Sequence, residues 1–249
     1  IFKDQASMVM VFLTVLLSLP LMYATIEEEE EEDWEIDDER TLLEEHSKAI
    51  IFLSAMFFGF VVGYTIMYVV LPIPVVENVF SVQTATINSI NNVPATGNAF
   101  VDSNGAFFKI LGNNFKVLIF SIFFAFFFGA GAIFILAWNG SIIATAIGNY
   151  IRNGLAESAN LLGLTGTAVY LNLFALGILR YMIHGVFEIV GYFMGALAGG
   201  IISMGIVNHG FQSDRFKNII YDASILVLIA FVLLIVGAVV EVYVTPLLF

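Results

Sequence analysis

Six apolar stretches, each close to the roughly 20 residues needed to cross the hydrocarbon core of a bilayer, constrain this chain more than any other feature. They run over residues 8–25, 50–71, 117–138, 161–179, 184–207 and 223–244. Backbone groups inside lipid find no water to bond, so segments of this length are predicted as α-helices and not as loops or open strands. The expected fold class is all-α: a polytopic helical membrane protein with about six transmembrane helices. Composition carries the same message, since 59% of the 249 residues are hydrophobic, only 12% are charged and the mean hydropathy is +0.94. A soluble domain has no means of hiding that much apolar surface. The absence of cysteine excludes disulfides, thiolate metal sites and cysteine nucleophiles. The chain begins at Ile1 and not at methionine, which leaves room for an upstream segment. No basic n-region with a small-residue cleavage site is visible.

The net charge of −12 is local. Residues 27–48 hold thirteen acids against Arg40 and Lys48, and the rest of the chain is nearly neutral. Six consecutive glutamates repel one another and also repel phosphate, so nucleic acid is not an expected partner. Glutamate is nonetheless a good helix former, and residues 27–48 are expected as a solvated helical arm. The chain then divides into a first span over residues 1–26, the acidic solvent-exposed arm over 27–48, and a five-span membrane domain over 49–249. Within that domain residues 72–105 are expected as an extramembrane cap. They are rich in Asn, Ser, Thr and Val, and "INSINNVPATGNAF" has turn chemistry and no helical periodicity.

After the third span comes "NGSIIATAIGNYIRNG", apolar but too short to cross alone. Two readings are open: a re-entrant helix broken at Asn139-Gly140, which needs protein or water over its backbone, or an interfacial helix with Arg152 at the headgroups.

The residues that could carry chemistry lie on the fifth span. On an ideal helix at about 100° per residue, with His184 at zero, Glu188 falls near 40°, Gly191 near 340°, Gly195 near 20° and Gly199 near 60°. One stripe thus holds two ionisable groups and three glycines at four-residue spacing, a pattern that lets another helix backbone approach closely. The stripe is expected to face protein, with His184 and Glu188 relieving each other's burial. An intramembrane acid is a functional candidate by default; the plainer alternative is a hydrogen bond to a neighbouring helix. His184 and Glu188 are also the weak candidates for a metal, but the motif lacks a second ligand pair, so neither a metal nor a cofactor is expected. Gly59 and Gly63 form a second close-packing pair, suited to another span or to a homodimer. No hydrolase elbow, phosphate-cradling loop or zinc-protease motif occurs.

The residues "FFKILGNNFKVLIFSIFFAFFFGAGAIFILAWNG" followed by "HGVFEIVGYFMGALAG" resemble the stage II sporulation protein M family. The resemblance rests on Asn113-Asn114 before a span, Asn139-Gly140 after it, and His184-Gly185 with Glu188 opening a later glycine-rich span. It covers roughly residues 50–244 and leaves out the first span and the acidic arm. It implies a multi-pass protein of the cell membrane that acts as a non-enzymatic scaffold, with the bilayer and other membrane or cell-envelope proteins as partners. Asn113, Asn114, Asn139, Gly140, His184 and Glu188 form the expected intramembrane polar site. Two further function classes stand beside the scaffold. One is a proton- or cation-coupled transporter or channel using Glu188. The other is an intramembrane metal-dependent hydrolase. A polar cavity reaching Glu188 marks the transporter, a sealed Glu188 the scaffold, and three protein ligands to one metal the hydrolase.

Overall fold

The computed structural model describes residues 5–35, 39–91, 99–128, 132–162, 166–209 and 213–248. Its helices are α1 (Ala6–Glu35), α2 (Glu39–Val70), α3 (Ile73–Val79), α4 (Ser81–Asn91), α5 (Ala99–Phe128), α6 (Ala132–Leu162), α7 (Thr167–His209), α8 (Asp214–Val239) and α9 (Thr245–Leu248), with a π-helical turn at Val240–Val244 between the last two. Among the described residues, six segments are long and apolar enough to span a membrane: Ala6–Thr25, Lys48–Val70, Gly105–Phe127, Ala132–Ala159, Thr167–Val207 and Phe216–Leu248. The chain is therefore an all-α, multi-pass membrane protein. Leu17, Val70, Phe127, Leu228 and Leu247 are all exposed, an outward apolar surface that lipid covers at no cost.

The number of spans agrees with the hydropathy pattern, but their boundaries do not. The apolar stretch 117–138 is shared between two helices, α5 ending at Phe128 and α6 starting at Ala132. Gly129 and Gly131 lie outside the described residues. The segment after Asn139-Gly140 is neither re-entrant nor interfacial. It is the body of α6, which runs through it without a break. Asn139 donates to the carbonyl of Ile135 in its own helix at 2.8 Å, and Ser141 and Thr145 bond back to Trp138 and Ser141. These side chains satisfy themselves on the helix, so the Asn-Gly pair never has to end it. The stretches 161–179 and 184–207 are one helix, α7, of 43 residues. At 1.5 Å per residue it is about 64 Å long, roughly twice the thickness of the hydrocarbon core. Within residues 72–105 the chain is helical as far as Asn91, against the expected turns, and residues 92–98 lie outside the described part.

Helix ends follow from local sequence. Pro72 stops α2, and Pro74 starts α3 in its first turn, where its missing N–H is no loss. Arg152 of α6 caps α2 from outside, donating to the carbonyls of Leu71 and Val69 with its guanidinium 5.4 Å from the centre of the Tyr68 ring. Those carbonyls are among the four that a helix end leaves unpaired. Gly166, at φ 141°, turns the chain into α7. Ser213 caps α8 by accepting from the amide of Phe216. The π-turn precedes Pro246, which has no N–H to give to the ladder. The Thr245 amide instead reaches the carbonyl of Val240, five residues back.

Contacts give the topology. Gly140 lies against Phe57, Gly148 against Tyr68, and Arg152 against Leu71, so α2 and α6 run in the same direction. Glu188 meets Asn114, Gly195 meets Leu118 and Gly199 meets Ile122, so α5 and α7 are also parallel. Helix α8 returns antiparallel along α7, pairing Gly237 with Glu188 and Ile219 with Gly205. Ser7 at the start of α1 bonds Asn78 of α3 and Ser81 of α4. Helix α3, the start of α1, the end of α6 and the end of α8 thus share one face. The end of α1 and the start of α2, which carry the acidic run, lie at the other. Glu27 and Glu28, which begin that run, are exposed.

Candidate functional site

Helix α7 sets the site. His184, Glu188 and Tyr192 are one turn apart on the face turned toward α5 and α8. Asn114 of α5, 4% exposed, sits between the last two. Its amide nitrogen donates to Glu188 Oε1 at 2.5 Å, and its carbonyl oxygen accepts from the Tyr192 hydroxyl at 2.9 Å. The relay Tyr192→Asn114→Glu188 pairs each donor with an acceptor; with the amide reversed, its carbonyl oxygen would face the Glu188 carboxylate, acceptor against acceptor. It holds the carboxyl by a donor that cannot itself take the proton.

Glu188 and His184 do not relieve each other as the stripe suggested. His184 Nδ1 lies 3.3 Å from Thr245 Oγ1 at the end of the π-turn, and that hydroxyl also donates to the carbonyl of Val240 at 3.1 Å. Each ionisable side chain of the stripe has its own polar partner on a different helix.

Close approach is what makes the site compact. A Cβ at Gly237 of α8 would lie 3.0 Å from Glu188 Cγ. One at Gly191 would come 3.1 Å from the carbonyl oxygen of Ala230, and ones at Gly195 and Gly199 would run into Leu118 and into the α5 backbone at Ile122. The α7 stripe therefore packs on α8 at one level and on α5 at the next. Gly59 and Gly63 differ: nothing lies within 4 Å of where their Cβ atoms would be.

In front of Glu188 is a half-open cavity of about 560 Å³. Lys109, Asn113, Lys116, Asn139, His184 and Glu241 are among its polar lining, and Ile87, Phe108, Ile142 and Ile143 among its apolar walls. It extends from Lys109 and Ile87 to Glu188 and Tyr192. Of the residues expected as a polar site, Asn113, Asn114, Asn139, His184 and Glu188 all line this cavity, whereas Gly140 does not and packs against Phe57. Sequence reasoning missed four contributors: Tyr192, Tyr181, Thr245 and Glu241. Tyr192 continues the i, i+4 stripe of His184 and Glu188 and could have been found there. Glu241, late in the sixth apolar stretch, is partly buried, close to Glu188 and on the cavity wall. Only the antiparallel pairing of α7 with α8 reveals that. His46 and His209 have side chains outside the described part. Among the described residues no three of His, Cys, Asp and Glu come together as a metal site would need.

The fold and the cavity define a polytopic helical membrane protein with a polar site inside its bundle. A family model described as stage II sporulation protein M matches residues 48–246, and the chain belongs to that family. The match begins where the second span begins, so α1 and most of the acidic run lie outside it. Neither the curated proteins nor the solved structures yield a match.

Proposed function

We propose that this chain is a membrane transport protein that binds a proton or small cation at Glu188, with the cavity in front of it as the solute compartment. The observation that carries this reading is the cavity itself. Its volume, about 560 Å³, lies in the range of small-molecule sites, and it ends on a carboxyl held by the Asn114–Tyr192 relay. A passive scaffold needs no cavity at that depth; it would seal Glu188 between helices. A metal-dependent hydrolase needs three convergent ligands, and the described residues offer no such set. Intramembrane carboxyl groups facing a bundle interior are characteristic of ion and proton pathways.

The test is electrical. Protein reconstituted in liposomes on a solid-supported membrane is challenged with sodium, potassium, ammonium and methylammonium at several pH values. Wild-type protein is expected to give a current with at least one of these or with the pH step itself, and Glu188→Gln, which keeps shape but not charge, should lose it. Currents that are equal in the two proteins, or absent from both, would overturn the transport reading.

A further inference from the structure

A second, smaller cavity of about 240 Å³ lies beyond the first, lined by Arg180, Tyr181, His184, Glu241, Thr245 and Pro246. Three of these residues, Tyr181, His184 and Glu241, also line the large cavity. They form a partition with space on both sides. The two spaces differ in kind. The small one lies below the roughly 300 Å³ typical of small-molecule sites but has room for several waters, each taking about 30 Å³. Arg180, beyond the partition from Glu188, has its guanidinium 5.8 Å from the centre of the Tyr150 ring.

We infer that the small cavity is a separate proton entrance to Glu188, passing through the His184–Glu241 partition, while the large cavity takes the solute. This rests on the reading of Glu188 as the binding site. The partition is made of groups that can relay a proton. His184 has Nδ1 engaged by Thr245, which leaves Nε2 as the exchanging nitrogen. Glu241 comes close enough to Glu188 to interact with it electrostatically. A proton arriving from water in the small cavity passes to His184 or Glu241, and from there to the Glu188 carboxylate; no other bond changes. The titratable groups facing the partition are Arg180, Glu188 and Tyr192 from α7 and Tyr150 from α6. Lys109 and Lys116 of α5 line only the large cavity. The π-turn serves the same arrangement, because its five-residue ladder brings the Thr245 hydroxyl to the imidazole. Such turns recur at functional sites.

The cysteine-free chain allows each cavity to be blocked by itself. Arg180→Cys marks the small cavity and Phe108→Cys, on the apolar wall, the large one. Thr245→Cys, whose thiol stands in for the hydroxyl, serves where Arg180→Cys does not fold. Each protein in nanodiscs is modified with a cationic methanethiosulfonate reagent and later restored with dithiothreitol. Proton uptake after a drop in pH is followed as growth of the infrared C=O band of protonated Glu188, identified by its loss in Glu188→Gln. Modification in the small cavity is expected to slow that growth by about ten-fold or more, reversibly, whereas modification of Phe108→Cys leaves it unchanged. Equal slowing from both cavities, or none from the small one, overturns the separate entrance and leaves the Glu188 site standing. If no pH-sensitive band distinguishes wild type from Glu188→Gln, the Glu188 reading falls and the entrance with it.

Discussion

Helices α2 and α7 carry the same small-residue spacing and use it differently. In α7 a Cβ at Gly191, Gly195 or Gly199 would strike a neighbouring helix; in α2 one at Gly59 or Gly63 would meet open space. Burial follows locally: 67% of an 18-residue apolar window of α7 is buried against 33% of such a window in α2. The reason lies in which face carries the polar anchors. On α7 the bonds of Glu188 and Tyr192 to Asn114 lie on the glycine side and fix α5 in register there. On α2 the buried side chains Leu53, Phe57, Val61, Tyr64 and Tyr68 form the inner face, with Tyr64 bonded to Thr14 and Tyr68 to Asn149. Gly59 and Gly63 lie about 200° around the helix from Phe57 and Val61, on the outer side. Glycine spacing permits close approach. Polar contacts on the same face decide whether the approach is made.

The contrast is broken most severely by bulk on the α7 stripe. Gly199→Leu places its Cβ against the backbone carbonyl of Ile122, which has no rotamer to move aside. Overpacking of this kind costs about 1–3 kcal/mol and sometimes more. The expected result is loss of monodisperse protein in mild detergent, read by size-exclusion chromatography and thermal unfolding. Gly195→Leu, set against the mobile side chain of Leu118, should behave similarly but less severely. Normal assembly of Gly199→Leu would mean that α5 can slide along α7, and the account of the stripe would fail.

Next in size is the relay itself. Removing one partner of a buried hydrogen bond costs about 1–3 kcal/mol, so Asn114→Ala and Glu188→Ala should each destabilise by that order. The double variant should cost less than the sum, because both changes remove the same bond. Glu188→Gln keeps an acceptor for Asn114 and should keep stability, and Tyr192→Phe should cost about 1 kcal/mol. Thermal unfolding in detergent measures all five. Strict additivity of Asn114→Ala and Glu188→Ala would show that the two residues do not act as a unit.

These residues also mark how far the sequence could be read. The all-α membrane class and the number of spans were legible, because hydropathy reports length directly. Boundaries were not: Asn139-Gly140 has the chemistry of a break, yet Asn139 satisfies itself on Ile135 and the helix continues. The importance of the His184–Glu188 stripe could be read from its angle, but its partners could not. Asn114 was in view only through a family resemblance, and Glu241 and Thr245 sit beside the stripe because α8 runs antiparallel to α7, a tertiary fact with no local signal. The cavity is the clearest case. Its walls come from α4, α5, α6, α7 and the π-turn, and no single segment announces a space between five. That is why a scaffold led the sequence reading and a transport protein leads now.

A smaller effect is expected at the acidic run. Glu27 and Glu28 are exposed, and thirteen acids cannot enter hydrocarbon without a large penalty. Replacing residues 27–33 with a flexible neutral linker should leave a folded protein whose unfolding temperature changes little, since relief of like-charge repulsion offsets the loss of about two helical turns. Aggregation of that variant in mild detergent would show that the run packs on the membrane domain.

The smallest effect belongs to the outer stripe of α2, and it sharpens the comparison most. Gly59→Leu and Gly63→Leu add side chains where nothing lies within 4 Å, on a face flanked by the exposed side chains Phe52 and Ile66. Within one chain neither change meets a neighbour, and leucine is a better helix former than glycine by up to about 1 kcal/mol. The unfolding temperature of the monomer should stay the same or rise slightly. Cross-linking and size-exclusion in detergent then separate two meanings of the stripe. An unchanged oligomeric state means that lipid covers it and the spacing in α2 has no packing role. A shift from dimer to monomer means that a second copy of the chain supplies the backbone contact that α5 and α8 supply to α7. A fall in the stability of the monomer itself would contradict both, because it would require an intramolecular neighbour that the fold does not place there.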